Sequence, residues 1–402
     1  MSFRLTAVAF FFAIAAFSVY AQLPSPQKLS REDDREFKKE LERLRNLLAT
    51  ANDKGAVELQ IANTYAAGGQ YAEAIRRLRK VVDANLGFDP SRDPDFARLR
   101  NTVEFQSIMD EVRRQTPPVL KSRLIATIDE RELFPENVAF DPRGNTFFLG
   151  STAKDKIVRC SVGAACIVLV KPHLTEKSYV LGLKIDRPIR TLWATNNSLV
   201  GASLRRYDIH SGKLLQTASM EGKHVFNDLA LSSSGNVYVT DTSEGSVYRL
   251  NSRTNTLGVL APPHRFTAAN GIAISPDEKM LYVSAWGDGI DVIDLPSGSV
   301  KPIAHADNVC LAFIDGLYAI GQSLIAIQNG PMLPRIAQFN LSKNGRQIVG
   351  MTMLERRNPA FDGITTGTLV GNELYYVANP QMDKKDSPNL SPLEILALRV
   401  AP

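Results

Sequence analysis

Cysteine is scarce in this chain, with three residues in 402, which is too few for a fold held together by disulfides. The sequence has no dense lysine and arginine patch interleaved with aromatic residues, and its net charge is only +5, which argues against nucleic-acid binding. It lacks a serine nucleophile elbow, a phosphate-binding loop and a zinc-ligand spacing. Beyond residue 21 no apolar run is long enough to span a bilayer, so we expect no membrane span in the mature chain.

The first 21 residues have the pattern of a secretory signal peptide. Arg4 precedes an apolar run, and Val19 and Ala21 form a small-x-small cleavage pattern. The run is shorter than the roughly 20 residues that a membrane span needs, although an uncleaved anchor is the alternative. The sequence therefore predicts export to the periplasm or beyond the cell, after cleavage near Ala21.

Export would place the cysteines in an oxidising compartment. Cys160 and Cys166 lie between two apolar runs in a segment typical of a hairpin, so the two thiols could lie opposite each other. Two alternatives stay open, a Cys160–Cys166 disulfide and a pair of buried thiols. Cys310 has no obvious partner and is expected to be buried.

A helical region follows a linker over residues 22–29. Residues 30–116 are rich in Glu, Arg, Leu and Ala, and their apolar residues recur at helical spacing. One stretch resembles a tetratricopeptide repeat at Ala62, Tyr65, Gly69, Tyr71 and Ala74. Two further short helices are predicted over 93–100 and 105–114. Such a domain either holds a protein partner or packs as a small helical domain of its own.

The remaining residues, 122–402, repeat six times. Each unit has a polar or small leader residue, an apolar strand, a turn and a second apolar strand. The leaders are Glu136, Gly182, Asn227, Asn270, Asp315 and Asp362. Their spacing of 43 to 47 residues is typical of a β-propeller blade. The sequence predicts a mainly β protein, a six-bladed propeller in which residues 124–128 close the last blade with residues 394–400.

The leaders are candidate ligands for a cation. Each begins an innermost strand, so all six should face one mouth of the central channel. Carboxylate and amide oxygens suit Ca²⁺ or Mg²⁺ better than a soft metal. Asn and Asp before Gly are also common turn formers, so a ring of turn residues is the alternative. Asn329, before Gly330 and Pro331, is interpreted as a turn residue.

Several motifs resemble those of the SMP-30/gluconolactonase/LRE-like propellers. They are Pro135-Glu136, Phe226-Asn227-Asp228, Asn270 to Asp277, and Asp315-Gly316. The resemblance implies a divalent metal on the axis, Ca²⁺ first, with Mg²⁺, Mn²⁺ or Zn²⁺ as other possibilities. It implies Glu136, Asn270 and Asp315 as ligands, with Asn227 lining the site or binding through water.

The same resemblance implies hydrolysis of a small-molecule lactone or ester. Asp315 would position or deprotonate a water, His224 is a candidate proton shuttle near the mouth, and Asp362 is a candidate channel residue. Two positions depart from the family pattern. Asn137 stands where Gly is common, which makes it another candidate channel residue, and Val225 stands where the sugar lactonases carry Arg.

Two functions of different classes therefore remain open. The first is an exported, metal-dependent hydrolase of lactones or related esters. The second is a non-catalytic propeller that binds a ligand or a protein partner, with a structural metal or none. Because propellers serve both roles, the fold alone does not decide between them.

Overall fold

A computed structural model describes residues 23–25, 29–171 and 178–401 of the chain. The predicted signal peptide and four residues of the predicted linker, 22 and 26–28, lie outside the described residues. The chain divides into two compact units. The first comprises the described residues up to Pro117 together with Ala306–Leu311 and Gly330–Leu333, and the second comprises the rest. Within the described part of the chain, no helix combines the length and the hydropathy that crossing a membrane requires.

Four α-helices form most of the first unit. They are α1 (Arg31–Thr50), α2 (Lys54–Ala67), α3 (Tyr71–Asp83) and α4 (Val103–Gln115). Ser30 caps α1 by accepting a hydrogen bond from the Asp33 backbone amide, and acidic residues fill the first turn, where they oppose the helix dipole. The helix that the sequence predicted over 105–114 lies within α4.

Helices α2 and α3 pack against each other around small residues. Ala62 and Ala74 are fully buried, so the two helices can approach closely. Gly69 lies in the connection with φ at 70°, in the left-handed region that favours glycine. The sequence placed these three residues correctly in a helix–turn–helix pair.

The segment that follows departs from the sequence prediction. Residues 93–100 were expected to form a helix, but the structure has 3₁₀ turns at Pro90–Arg92 and Pro94–Phe96. The side chains of Asp89 and Asp93 accept hydrogen bonds from the Ser91 and Asp95 amides, and such local bonds favour short turns over a continuous helix. Phe88 pairs with Met332, and the Leu311 amide donates to Asp53, so the two later segments complete this unit.

The second unit contains six four-stranded sheets in the described residues. The first three blades are β2 (Val138–Asp141), β3 (Thr146–Gly150), β4 (Ile157–Ser161) and β5 (Ile167–Val170); β6 (Ser178–Asp186), β7 (Thr191–Ser198), β8 (Gly201–Asp208) and β9 (Leu214–Glu221); and β10 (Phe226–Leu231), β11 (Val237–Asp241), β12 (Ser246–Leu250) and β13 (Leu257–Ala261). The next two are β14 (Ala269–Ile274), β15 (Met280–Ala285), β16 (Gly289–Asp294) and β17 (Val300–Pro302); and β18 (Ile314–Ile320), β19 (Ser323–Gln328), β20 (Arg335–Leu341) and β21 (Ile348–Arg356).

The sixth blade joins the two ends of the propeller. It comprises β22 (Gly367–Val370), β23 (Glu373–Val377), β24 (Leu393–Arg399) and, as its outermost strand, β1 (Arg123–Ile128). β1 pairs antiparallel with β24, as the sequence predicted, so blade six is completed by the strand that precedes blade one. The six-bladed propeller that the repeat predicted is confirmed.

The hydrophobic core lies between neighbouring blades. Phe147 of the first blade packs with Tyr375 and Ile395 of the sixth in one buried cluster, and similar clusters lie between blades one and two, two and three, three and four, and five and six. Cys160 at the end of β4 and Cys166 just before β5 are joined in a disulfide, with their Cα atoms 4.2 Å apart. Of the two alternatives for these cysteines, the structure has the bonded one. Cys310 is buried, as expected, and is not part of this disulfide.

Candidate functional site

Four of the six innermost strands contain a β-bulge where they enter the channel. Their pairing with the second strand skips residues between Val180 and Leu183, Phe226 and Leu229, Ala269 and Ile272, and Ile314 and Gly316. A bulge leaves residues out of the ladder and turns their side chains away from the usual alternation. The bulges hold Asn227, Asn270 and Asp315, and so free these three side chains from the regular pattern of the sheet.

In each blade we count back along the innermost strand from the residues that pair regularly with the second strand. This places one residue of each blade at the same height along the channel axis, and we call each such set of six residues a layer. The first layer is Glu136, Leu181, Asn227, Asn270, Asp315 and Thr365. The second layer is Asn137, Gly182, Asp228, Gly271, Gly316 and Thr366. Four predicted leaders therefore share the first layer, while Gly182 lies one residue deeper.

Asp362 does not share the first layer. It lies five residues before β22, and its carboxylate accepts a hydrogen bond from Lys384 Nζ at 2.7 Å. Thr365 occupies the equivalent level in blade six, and its hydroxyl donates to the Glu136 carbonyl at 2.7 Å. The sequence pattern was ambiguous here because Asp362-Gly363 resembles the other Asx-Gly leaders, yet Gly363 has φ at 73° and belongs to a turn in the entry loop.

Hydroxyl side chains fix the backbone of the next blade at this level. Thr195, Thr240 and Ser284, each on a second strand, donate to the carbonyls of Asn227 (3.1 Å), Asn270 (2.6 Å) and Ile314 (2.9 Å). Because these hydroxyls are buried, the bonds hold the first layer in place without help from solvent. The layer is thus built by the scaffold rather than by mobile loops.

Asp315 is the most enclosed acid of the first layer. It is 5% exposed, and its two oxygens accept hydrogen bonds from Asn270 Nδ2 at 2.7 Å and Asn329 Nδ2 at 2.6 Å. Asn329 is therefore a site residue rather than a simple turn residue. The signal that would have found it is again periodic, since Asn197 and Thr242 at the equivalent positions also donate to the next blade.

Three side-chain oxygens of the first two layers are buried without a hydrogen-bond partner. They are Asn270 Oδ1, Asp228 Oδ2 and Asn137 Oδ1. An unpaired buried acceptor costs about 1–3 kcal/mol, so three at one place require an explanation. A cation bound among them would supply one, and the predicted ligand Asn270 is among the three.

Burial raises the pKa values of the three channel carboxyls. The pKa of Glu136 lies well above its usual range because of burial, then because of the charge of Asp315, with a smaller contribution from Asp228 and an opposing one from Lys385. Burial also raises the pKa of Asp315 to about 6, against the two amide hydrogen bonds that lower it. The pKa of Asp228 is raised by burial and lowered by Lys184. A bound cation would favour the ionised form of all three.

The donor set fits a hard divalent cation. Glu136 and Asp315 offer carboxylates, and Asn227 and Asn270 offer amide oxygens, which is the chemistry that Ca²⁺ or Mg²⁺ prefers. Among the residues that the structure describes, no group of three or more His, Cys, Asp or Glu side chains is arranged to hold a metal. A metal site here would therefore need amide oxygens in addition to the two first-layer carboxylates to complete the coordination of the ion.

His224 is engaged within blade three. Its Nδ1 lies 2.6 Å from Asp241 Oδ2, and its ring contacts Phe226 and Tyr248. Asp241 is fully buried and also accepts from the Val225 amide at 3.1 Å. This pair connects the loop before β10 to the end of β11 and so has a structural role. His224 also remains a candidate for proton transfer.

Comparisons with known proteins agree with the fold. No family model and no curated protein matches the chain. Among solved structures it is similar to Mala s 1, the major allergen of Malassezia sympodialis, with a TM-score of 0.53 and 14% identity over 69% of this chain and 96% of that one. It is also similar to the PQQ-bound aldose sugar dehydrogenase of Streptomyces coelicolor, with a TM-score of 0.50 and 15% identity over 70% of this chain and 99% of that one.

A third similar structure is the calcium-binding protein regucalcin of Agrobacterium tumefaciens. Its TM-score is 0.50 and its identity 15%, over 71% of this chain and 96% of that one. The chain is thus a six-bladed β-propeller that shares its fold with these three proteins, and helices precede the propeller in the sequence. At these identities the likeness concerns the fold, and an allergen, a dehydrogenase and a calcium-binding protein share it.

Proposed function

We propose that the protein is a metal-dependent hydrolase of lactones or related esters. The observation that carries the proposal is the first layer, where buried Asn270 has an unpaired Oδ1 beside the carboxyl of Asp315. Glu136 lies in the same layer, and its pKa is raised first by burial and then by the charge of Asp315. Two carboxylates and an unpartnered amide oxygen in one place are the donors that a divalent cation needs.

Glu136, Asn270 and Asp315 would hold the cation, with Asn227 beside them or bound through water. When bound, a divalent cation supplies Lewis acidity that polarises a carbonyl oxygen and stabilises the charge that develops on it. Asp315 is held by two amides, so its carboxylate is oriented before a substrate arrives. It would accept a proton from the attacking water and return it to the oxygen of the ester bond that breaks.

The residues around the mouth favour an apolar substrate over a sugar lactone. Leu181 is the apolar member of the first layer, and Val225 precedes Phe226 where an arginine would bind hydroxyls or an anion. Leu181 is partly exposed and can contact a substrate directly. We infer that lactones or esters with hydrocarbon substituents are better substrates than gluconolactone.

We also infer that the mature chain is exported after cleavage near Ala21. The Cys160–Cys166 disulfide supports this inference, because such bonds persist in oxidising compartments. Protein recovered from the exported fraction and denatured without reductant should expose one thiol, that of Cys310, and three after reduction. A mature N-terminus still at Met1 would contradict cleavage near Ala21, and absence of the protein from the exported fraction would contradict export.

The test of the function is a panel of aliphatic lactones, aryl esters and gluconolactone, assayed with EDTA and with added Ca²⁺, Mg²⁺, Mn²⁺ or Zn²⁺. We expect hydrolysis that EDTA abolishes, that one divalent ion restores, and that Asp315→Ala removes. Asp386→Ala, on an exposed loop, is the matched control and should retain activity. Hydrolysis that persists in EDTA and in Asp315→Ala would refute the mechanism. A rise in melting temperature with metal, without turnover of any substrate, would instead favour the non-catalytic binding propeller.

A further inference from the structure

A lysine crosses the central channel beneath the candidate metal ligands. The third layer, one residue per blade, is Ala139, Lys184, Ala230, Ala273, Tyr318 and Thr368. Four of these side chains are small, so Lys184 and Tyr318 fill the level. Lys184 Nζ lies 5.2 Å from the centre of the Tyr318 ring, and their blades, the second and the fifth, face each other across a six-bladed ring. The ammonium group therefore lies close to the axis.

The same ammonium is the nearest cation to a buried acid of the second layer. Lys184 Nζ lies 4.0 Å from Asp228 Oδ1, and Asp228 is 1% exposed. Asp228 Oδ1 accepts from the Leu229 amide at 2.8 Å, whereas Asp228 Oδ2 has no partner. A carboxylate buried this deeply is stable in its ionised form only with a counter-charge nearby. Asn137 Oδ1, in the same layer, is also buried and unpaired.

We propose that Lys184 is a resident cation of the channel, which occupies the place of a second metal ion beneath the first layer. This inference rests on the proposed function in one respect, which is the divalent cation bound in the first layer. The side-chain oxygens of Asp228 and Asn137, in the second layer, are of the kind that binds cations. The ammonium group of Lys184 balances the negative charge of Asp228, which would otherwise attract an ion. Lys184 thus limits the channel to one divalent cation.

Charge balance supports this assignment. Glu136, Asp228 and Asp315 carry three negative charges when ionised, and Lys184 with one divalent ion carries three positive charges. Without Lys184, one divalent ion would leave a net negative charge in a buried channel, which favours a second cation. Lys385 also acts on Glu136, but it is more exposed than Lys184, so solvent screens its charge more strongly.

The test counts bound Ca²⁺ per chain by native mass spectrometry and by calorimetric titration. We expect Lys184→Met to bind one more Ca²⁺ than the wild type, because Met keeps the length of the side chain and removes the charge. Lys184→Arg keeps the charge and should bind the wild-type number. The double variant Lys184→Met/Asp228→Asn removes both charges and should also return to the wild-type number.

Equal Ca²⁺ counts in the wild type and Lys184→Met would overturn the inference. If Lys184→Met does not fold without metal, Ca²⁺ should restore its near-ultraviolet circular dichroism, and failure to do so while the double variant folds would also overturn it. The wild-type count is a separate result. A wild type that binds no Ca²⁺ and no other divalent ion would refute the metal-dependent hydrolase, even if Lys184→Met then gained one ion.

Discussion

Asn329 Nδ2 donates a 2.6 Å hydrogen bond to Asp315 Oδ2 and a 2.7 Å hydrogen bond to the backbone carbonyl of Ile364 in the next blade. One amide thus joins the most enclosed acid of the first layer to the entry of blade six. Asp315 receives its second hydrogen bond from Asn270, so the carboxylate is fixed from both sides. The orientation of a candidate metal ligand and general base therefore depends on a residue outside the ring.

Replacing Asn329 should weaken metal binding as well as stability. We expect Asn329→Ala to lower the free energy of unfolding by about 1–2 kcal/mol, because two partly buried hydrogen bonds are lost. Ca²⁺ affinity should fall about tenfold or more, since Asp315 loses one of its two orienting donors. Urea unfolding and calorimetric titration measure the two effects.

Asn379→Ala is the matched control for this change. Asn379 donates to the Pro392 carbonyl at 2.8 Å and accepts from the Glu394 amide at 2.6 Å, so it also makes two hydrogen bonds, but none to Asp315. It should lose similar stability and keep the wild-type Ca²⁺ affinity. Equal affinities in both variants and the wild type would show that Asn329 does not orient the site.

Gly271 is required by the close approach of two blades. A Cβ atom there would lie 2.5 Å from the Asp315 carbonyl oxygen and 2.9 Å from the Leu317 nitrogen, so backbone would have to move. We expect Gly271→Ala to lower the free energy of unfolding by about 2 kcal/mol or more. Gly258→Ala is the control, because a Cβ at Gly258 has no atom within 4 Å. Thermal melting that is equal for the two variants would contradict this packing.

Replacing His224 distinguishes a structural role for this residue from a role in proton transfer. His224→Ala removes the partner of buried Asp241 and should lower the free energy of unfolding by about 1–3 kcal/mol. If the pair serves only to hold the loop, kcat of the folded variant should stay within about threefold of the wild type. A loss near a hundredfold, at a stability equal to that of the wild type, would instead assign His224 the role of proton shuttle.

The metal-free protein should become less stable as the pH rises toward neutrality. The pKa of Asp315 in the folded chain is about 6, above its ordinary value of 3.8, and the pKa values of Glu136 and Asp228 are also raised. The folded state then holds more protons than the unfolded state between about pH 4 and pH 6, so the free energy of unfolding falls through that window. For Asp315 the loss is on the order of 3 kcal/mol.

Denaturant unfolding in EDTA at a series of pH values measures this slope. Excess Ca²⁺ at pH 7 should restore stability and flatten the dependence, because the bound ion replaces the protons. Asp315→Asn should reduce the slope, whereas Asp386→Asn, an exposed acid outside the channel, should leave it unchanged. A metal-free protein whose stability rises between pH 4 and pH 6 would contradict the raised pKa values.

The sequence predicted the fold more completely than the site. The repeat of about 45 residues predicted the six blades, and the apolar run at 124–128 predicted the closure with the C-terminal strand. Glu136, Asn227, Asn270 and Asp315 were placed at one level because their motifs recur with the blades. Gly182 and Asp362 were misplaced from that level, since a bulge or a turn shifts the register by a few residues without changing the motif.

The amino-acid sequence by itself determined the blade number, the strand that closes the ring and the residue types at the channel mouth, because all three follow from a periodic pattern along the chain. Only the tertiary structure decided which side chains meet across the axis. Lys184 and Tyr318 are 134 positions apart, and their contact exists because six blades close into a ring. Asn329 approaches Asp315 because the blade folds back on itself after β18. The first contact joins residues far apart in sequence, and the second depends on how the strands of one blade pair, so neither follows from the motifs alone.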